Sequence, residues 1–258
     1  MIYLVYNKII MSIIIKQKNV SETPGEMANQ IKQRFNLNKI SYCGKLDPMS
    51  RGVMLFLTDG YCKKQEQFLK LDKIYEFEIL FGFKTDSYDI LGIIDKMKIE
   101  NDLDIESIIN YTESLTGKHQ QYFPPFSSIT AMNDEGLRKP LWWWSKYNRI
   151  NEIRIPHKEI NIYSMDFISS EKKTFQDVIF TIKNKINSLK GDFRQKEILE
   201  LWEQKYKENQ NQSFHVLKFR TEVSSGTYIR SIIQKIATNY NTYGIAYDIN
   251  RTKLGIYY

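Results

Sequence analysis

Thiols and imidazoles are scarce in this chain: 258 residues hold two cysteines, Cys43 and Cys62, and three histidines, His119, His157 and His215. That excludes a disulfide framework and a four-thiolate zinc site; with the histidines scattered, no metal is expected, and a reducing compartment suits the chain. Six prolines and 12 glycines, beside 42% apolar and 26% charged residues, exclude collagenous, low-complexity and disordered chains. A membrane-spanning run is missing at the N-terminus. Residues 1–15 are apolar but interrupted by Asn7, Lys8 and Ser12, short of the roughly 20 residues that cross a bilayer. Without a basic lead-in or a small-residue cleavage site, no secretory signal is expected either, and Met11 offers an alternative start.

What is present is positive charge, 37 Lys and Arg against 30 Asp and Glu, for a net +7. It is concentrated. Residues 16–51 hold seven basic and three acidic side chains and residues 214–258 hold six and two, so these segments carry the whole surplus. An acidic partner is indicated, and 17 Tyr and 14 Phe supply faces on which unstacked bases could lie. Without positions, composition favours a plainer reading, with tyrosines as core and edge-strand filler and lysines as solvated surface.

The length suits one large domain or two small ones. Thr23-Pro24-Gly25-Glu26 carries a hydroxyl N-cap, a proline at the first helical position and a glutamate placed to close a capping box. Met27, Ile31 and Phe35 follow at a spacing of four, one buried stripe. Residues 53–57 read as a short apolar strand. Residues 73–81 alternate, with Tyr75, Phe77, Ile79 and Phe81 on one face and Glu76 and Glu78 on the other with Ile74 and Leu80, which predicts a half-buried strand with its tyrosine inward. Further strands are expected at 160–168, 177–182 and 214–223, and helices at 105–115 and 194–207. The mixture is α/β or α+β. Residues 170–213, rich in Lys, Glu, Asn and Gln, read as a peripheral insertion whose Lys172, Lys173, Lys183, Lys185 and Lys190 either contact phosphates or are merely solvated.

Two segments could carry chemistry. In Ser41-Tyr42-Cys43-Gly44-Lys45-Leu46-Asp47-Pro48, the proline bars Asp47 from helical geometry, so the backbone aims its carboxylate; Asp-Pro also initiates ordinary turns. In Ser224-Ser225-Gly226-Thr227-Tyr228-Ile229-Arg230, the spacing of Ile229, Ile232, Ile233 and Ile236 predicts a helix with Thr227 as N-cap and Arg230 at its third position. A cation in a first helical turn opposes the helix dipole by about 0.3–1 kcal/mol, so an anion is expected beside it. Asp47, Tyr75 and Arg230 together suggest a carboxylate kept ionised by an arginine, next to an aromatic hydroxyl.

Taken in order, these segments resemble the TruB family of tRNA pseudouridine synthases. GKLDPMSRGVMLFL (44–57) is similar to the family's Gly-x-Leu-Asp-Pro box, DKIY (72–75) to its Lys-x-Tyr strand, and GFKTDSYDILG (82–92) to its Gly-x-x-Thr-Asp loop. QYFPPFSS (121–128), GTYIR (226–230) and INRTKLGIY (249–257) resemble the remaining signatures, the likeness covering residues 13–258 apart from the insertion. One such box is weak evidence, and six in order are strong.

The resemblance implies a pseudouridine synthase fold, a mixed and mostly antiparallel sheet flanked by helices, as a single catalytic domain over 1–258. It implies isomerisation of uridine at position 55 in the T-loop of tRNA, without cofactor or metal. Asp47 would be the nucleophile, Tyr75 would pack on the flipped base, and Arg230 would pair with Asp47. Ile249 would floor the uracil pocket, Lys18 would support the active-site loop, and Gly44, Leu46 and Arg251 would border the substrate. Tyr42 stands where the family has a histidine and would fill the gap left by the extruded base. Phe126 stands where the family has a tyrosine, Thr130 where it has a lysine, and Asn19 where it has a proline; these touch RNA grip more than bond making. Because the sequence ends at Tyr258, the C-terminal RNA-binding PUA domain of many relatives is expected to be missing. The expected partner is tRNA, with no membrane, no obligatory protein partner and a monomer as the default, in the cytoplasm or another intracellular, reducing compartment such as the nucleus or an organelle. Two other readings stand beside it: a guide-RNA-dependent synthase acting on other RNA, and a catalytically idle tRNA-binding or folding protein.

Overall fold

In the computed structural model, which describes residues 12–100 and 102–258, the chain opens with β1 (Ile13–Lys18), α1 (Pro24–Arg34), β2 (Ile40–Cys43) and β3 (Arg51–Thr58). Next come α2 (Gln65–Leu69), β4 (Lys73–Phe81), β5 (Phe83–Thr85), β6 (Ile94–Met97), α3 (Ile105–Ser114) and β7 (Gly117–Tyr122). A small hairpin, β8 (Thr130–Met132) and β9 (Arg138–Pro140), leads into α4 (Leu141–Lys146). The long β10 (His157–Thr174) is followed by α5 (Phe175–Ser188) and α6 (Gln195–Glu208), and β11 (Ser213–Val223), α7 (Ile229–Asn239) and β12 (Gly244–Leu254) complete the described chain. Residues 1–11, including Met11 and most of the apolar N-terminal run, lie outside the described residues. Among the described residues no helix is long and apolar enough to cross a membrane.

Eight strands form one sheet in the order β1-β3-β12-β4-β11-β10-β7, with β2 paired to β3. All its pairings are antiparallel except β12 on β3, a parallel contact through Asn250–Arg51 and Arg251–Gly52. The mixed, mostly antiparallel α/β architecture expected from the sequence is the one found. Residues of β3 alternate between two cores: Met54 and Phe56 join the main cluster, Leu55 and Leu57 a second one with Cys43, Cys62 and Leu254. A strand covered on both faces has no polar side, which is why this one reads as a continuous apolar run. β4 is likewise covered twice, Ile74 and Leu80 being as buried as Phe77 and Ile79. It is therefore more enclosed than the half-buried strand its alternation predicts.

The start of α1 follows its sequence closely. Thr23 Oγ1 accepts from Glu26 N at 3.2 Å and Glu26 Oε2 accepts from Thr23 N at 3.1 Å, a closed capping box worth about 1 kcal/mol.

Three expectations are corrected. Residues 177–182 are not a strand but lie inside α5, because Phe175, Val178, Ile179, Ile182 and Ile186 place one stripe at helical spacing in the main core, behind Thr174 as N-cap. Consequently 170–213 is no peripheral appendage. Phe175 and Trp202 pack on Phe83 at 5.6 and 4.9 Å between ring centroids, and Lys185 reaches across to Asp248 at 2.8 Å. Burying side chains of this size contributes about 1.5–3 kcal/mol each. Finally, α7 is capped at Tyr228, with no side-chain cap bond, and Thr227 Oγ1 instead donates to Ser224 O at 2.9 Å. Arg230 is therefore the second residue of α7, not the third.

Candidate active site

Asp47 sits in the loop between β2 and β3, and buried cations fix that loop from beneath. The Lys18 ammonium, 1% exposed, donates to Ser50 O at 2.6 Å, Asn19 O at 3.0 Å and Pro48 O at 3.4 Å. Burial pushes the Lys18 pKa down to about 8, against the pull of Asp47 and Glu22. Arg251, equally buried, donates from Nε to Val53 O at 2.8 Å and from Nη2 to Gly44 O at 3.1 Å. Two glycines make this fit possible. Gly44 turns at φ +74°, and at Gly52, φ +123°, a Cβ would lie 2.3 Å from the Arg251 carbonyl oxygen.

Arg230 grips Asp47 with a planar fork: Nε donates to Oδ2 at 2.8 Å and Nη2 to Oδ1 at 3.0 Å. The guanidinium side chain is 2% exposed and the carboxylate side chain 26%, so the acid keeps an open edge toward solvent while its partner is enclosed. This is the anion that a cation in the first turn of α7 calls for. The remaining donor of the fork, Nη1, reaches Ser87 O at 2.7 Å and Pro125 O at 3.1 Å. Burial alone would depress the Arg230 pKa, but Asp47 and Asp89 outweigh it and hold the group above its ordinary value.

A second carboxylate stands behind the pair. Asp89 Oδ2 is 3.7 Å from Arg230 Nη1, and its Oδ1 accepts from Ser87 Oγ at 2.6 Å and Leu91 N at 2.9 Å. Burial pushes Asp89 up to about 6, despite Arg230 and Ser87. Sequence reasoning missed it as a site residue, although it lies within the quoted segment 82–92, since nothing in the spacing tells a buried aspartate from a turn residue. Tyr228 was missed too. Its hydroxyl is raised to about 12 by burial and then by Asp47, and its amide is held by Gln121 Oε1 at 2.8 Å.

Two cavities meet at Asp47. One, of about 580 Å³, is lined by Gly44, Leu46, Tyr75, Ile249 and Arg251, with Lys45, Lys70, Lys73 and Lys158 among its cations. The other, of about 530 Å³, is lined by Tyr42, Leu46, Phe126 and Arg230, with Trp142, Lys146 and Arg194. Asp47, Lys45, Leu46, Ser128 and Tyr228 border both. The structure thus gathers Asp47, Tyr75, Arg230, Tyr42, Gly44, Leu46, Ile249, Phe126 and Arg251 around one carboxylate, and Lys18 under its loop. Of the basic residues counted in the two cationic segments, Lys18, Arg230 and Arg251 are buried, so part of that charge builds the site and is not open surface. Of the five lysines of 170–213 named as possible phosphate contacts, Lys173, Lys183 and Lys185 are paired with Glu171, Glu203 and Asp248.

Chemically, the arrangement offers an arginine-paired carboxyl group with one open face, walled by aromatic and aliphatic side chains and rimmed by cations. Among the described residues no cluster of three or more His, Cys, Asp or Glu is placed to hold a metal ion.

A family model described as TruB family pseudouridylate synthase (N terminal domain) matches residues 32–191. Proteins named tRNA pseudouridine synthase B are similar along nearly the whole chain. The one from Mycoplasma capricolum subsp. capricolum is 24% identical over 94% of this chain and 67% of its own length. That from Borreliella afzelii is 26% identical over 95% and 70%, and that from Endomicrobium trichonymphae 26% identical over 95% and 85%. Among solved structures, a chain in the crystal structure of a Cbf5-Nop10-Gar1 complex shares the fold with a TM-score of 0.58 at 17% identity, over 95% of this chain and 49% of that one. A chain in a structure of an H/ACA RNP bound to a substrate RNA containing 2'-deoxyuridine gives 0.55 at 16%, over 95% and 48%. This chain spans about half the length of those solved chains.

Proposed function

The chain belongs to the TruB family of pseudouridylate synthases, and on that footing we propose that it isomerises uridine to pseudouridine in tRNA, in the T-loop at position 55, with Asp47 as the nucleophile. The observation that carries the reading is the bidentate Arg230–Asp47 pair at the junction of two cavities, with the acid's free edge open. The uridine leaves its stack at a cost of a few kcal/mol and enters the cavity that Tyr75 and Ile249 line, its ring against the tyrosine. Tyr42 and Phe126, in the neighbouring cavity, face the place it vacated and the nucleotides beside it. Lys45, Lys70 and Lys158, which line the same cavity as Tyr75, meet phosphates.

The reaction needs no oxidant. The bond between N1 and C1' breaks, the uracil turns while held, a bond forms between C5 and C1', the C5 proton leaves and N1 gains one, so the composition of the nucleoside is unchanged. Asp47 forms a bond to the sugar or the base as the N1–C1' bond is broken and gives that bond up again once C5 is joined to C1', while Arg230 holds both of its oxygens in place. Tyr75 packs on the ring through these steps and takes part in the final proton removal. We assign the protein a single catalytic domain that works as a monomer, without an obligatory protein partner, in the cytoplasm.

The test is mass-spectrometric mapping of an unmodified tRNA transcript after incubation with the purified protein and no guide RNA. Pseudouridine in the T-loop is the expected result, and Asp47→Asn should abolish it while tRNA binding persists. Conversion only with an added guide, or binding without conversion by the unaltered protein, would replace this reading.

A further inference from the structure

Seven non-glycine residues among those described have positive φ, and four of them are Asn or Asp, which tolerate it. The other three, Tyr88 (φ 63°), Phe126 (φ 57°) and Arg194 (φ 61°), are bulky, and they come together at the cavity that holds Asp47 and Arg230. Phe126 and Arg194 line it directly, as do Ser87 and Asp89 on either side of Tyr88. Left-handed backbone costs bulky residues energy that surrounding contacts must hold in place, and such strain collects where geometry is functional.

Two arginines supply those contacts, and they bridge the same two loops. From the inside, Arg230 Nη1 donates to the carbonyls of Ser87 and Pro125, the residues immediately before Tyr88 and Phe126. From the outside, Arg194 donates from Nη1 to Asp86 Oδ2 at 2.6 Å and from Nη2 to Oδ1 at 3.2 Å, with its Cζ 4.4 Å from the centroid of the Phe126 ring. Arg194 stands at the end of the turn between α5 and α6, which braces itself: Gln195 Nε2 donates to Gly191 O at 2.7 Å and Phe193 N to Gln195 Oε1 at 2.8 Å. Asp192 in that turn adds an ion pair to Lys146 of α4 at 2.8 Å.

We propose that Arg194 is a positioning residue for the isomerisation: acting through Asp86 and Phe126, it clasps the 86–89 and 125–126 loops from outside, and so fixes the wall against which Asp47 and Arg230 meet the extruded nucleoside. The inference rests on the pseudouridine synthase reading. It makes the α5–α6 excursion part of the substrate cleft. Asp86 N and O-bearing side chain also hold Ile93, through Asp86 N to Ile93 O at 3.1 Å and Ile93 N to Asp86 Oδ1 at 2.9 Å, so what Arg194 does to Asp86 is passed to the whole 86–93 loop.

The experiment compares Arg194→Ala, Arg194→Lys and Asp86→Asn with Lys183→Ala, which breaks the remote Lys183–Glu203 pair between the same two helices. Single-turnover conversion of tRNA is measured at saturation together with tRNA affinity, and amide hydrogen exchange is followed over residues 86–93 without RNA. Arg194→Ala and Asp86→Asn should each lower the saturated rate by about tenfold with affinity changed less than about twofold, since a misplaced wall acts on the reacting geometry. Lys should rescue the rate only in part, because it keeps the charge but not the planar fork. Exchange over 86–93 should quicken in the same variants and stay unchanged in Lys183→Ala. An unaltered rate and unaltered exchange in Arg194→Ala would overturn the proposal. So would a pure affinity loss, which would make Arg194 an RNA ligand, or an equal rate loss in Lys183→Ala, which would make the effect one of helix stability. If the unaltered protein fails to convert any tRNA, the functional reading falls, and the exchange arm still decides whether the clasp exists.

Discussion

Two loops meet at the carboxylate of Asp47, one carrying it and one across the cavity from it, and they are held by opposite means. The loop 44–50 and the start of β3 are tied from below by Lys18 and Arg251, both 1% exposed, whose donors go to backbone carbonyls. The α5–α6 turn is tied from the rim by ion pairs whose side chains are 17% and 34% exposed for Arg194 and Asp86, and 35% and 76% for Lys146 and Asp192. A buried cation that loses its carbonyls, or leaves them empty, incurs the full cost of desolvation, whereas a pair nearer the surface is partly re-solvated when it breaks and loses less. The first loop is therefore fixed by stability and the second by geometry, and mutations should separate them.

The largest effect should come from emptying the floor. Arg251→Ala leaves the Val53 and Gly44 carbonyls without their donor and should lower unfolding free energy by about 3–4 kcal/mol, read by urea denaturation. If it costs less than the rim variants, the contrast between the loops is wrong. Next, Arg230→Lys should fold but lower turnover of tRNA by about 100-fold or more, because a lysine cannot hold both Asp47 oxygens and the Ser87 and Pro125 carbonyls at once. Single-turnover kinetics measures this, and wild-type rates would remove the role of the fork.

Asp89 sharpens the comparison on pH. Its carboxyl titrates near pH 6 in the folded chain, above the ordinary 3.8, so between those values the folded state binds more protons than the unfolded one. The contribution of its neutral form is present below about pH 4 and is lost as pH rises through about 6, a fall on the order of 3 kcal/mol. Asp89→Asn, neutral throughout, should flatten that part of the stability profile, which denaturation at pH 4, 5, 6 and 7 would reveal. The smallest effect is expected at the rim. Lys146→Ala should leave the melting temperature unchanged in scanning calorimetry, since Asp192 returns to water when the pair breaks.

Much of the site was legible in the chain. Asp47 could be read from the proline behind it, Arg230 from its electrostatically awkward place in a helix start, and the Thr23 capping box from four residues. The errors have physical causes. The run from Asp177 to Ile182 is rich in β-branched residues, which suit strands, and only its longer stripe from Phe175 to Ile186 reveals a helix. The polar faces of α5 and α6 dominate the composition of 170–213, which hid the apolar stripe that joins the main core. Asp89 and Arg194 gave no signal, since an aspartate in a turn and an arginine before a helix are ordinary.

Sequence alone determined what is local: caps, alternation, the constraint that proline puts on the residue before it, and the order of the motifs. Only the tertiary structure decided which charges meet. Arg230 lies 183 residues from Asp47 and Arg194 108 from Asp86, and their pairing depends on how β2, β5, α6 and α7 are brought together around the sheet. It decided burial as well, and burial is what turns Asp89 into a group that titrates near neutrality and Lys18 into a brace beneath the loop that carries Asp47.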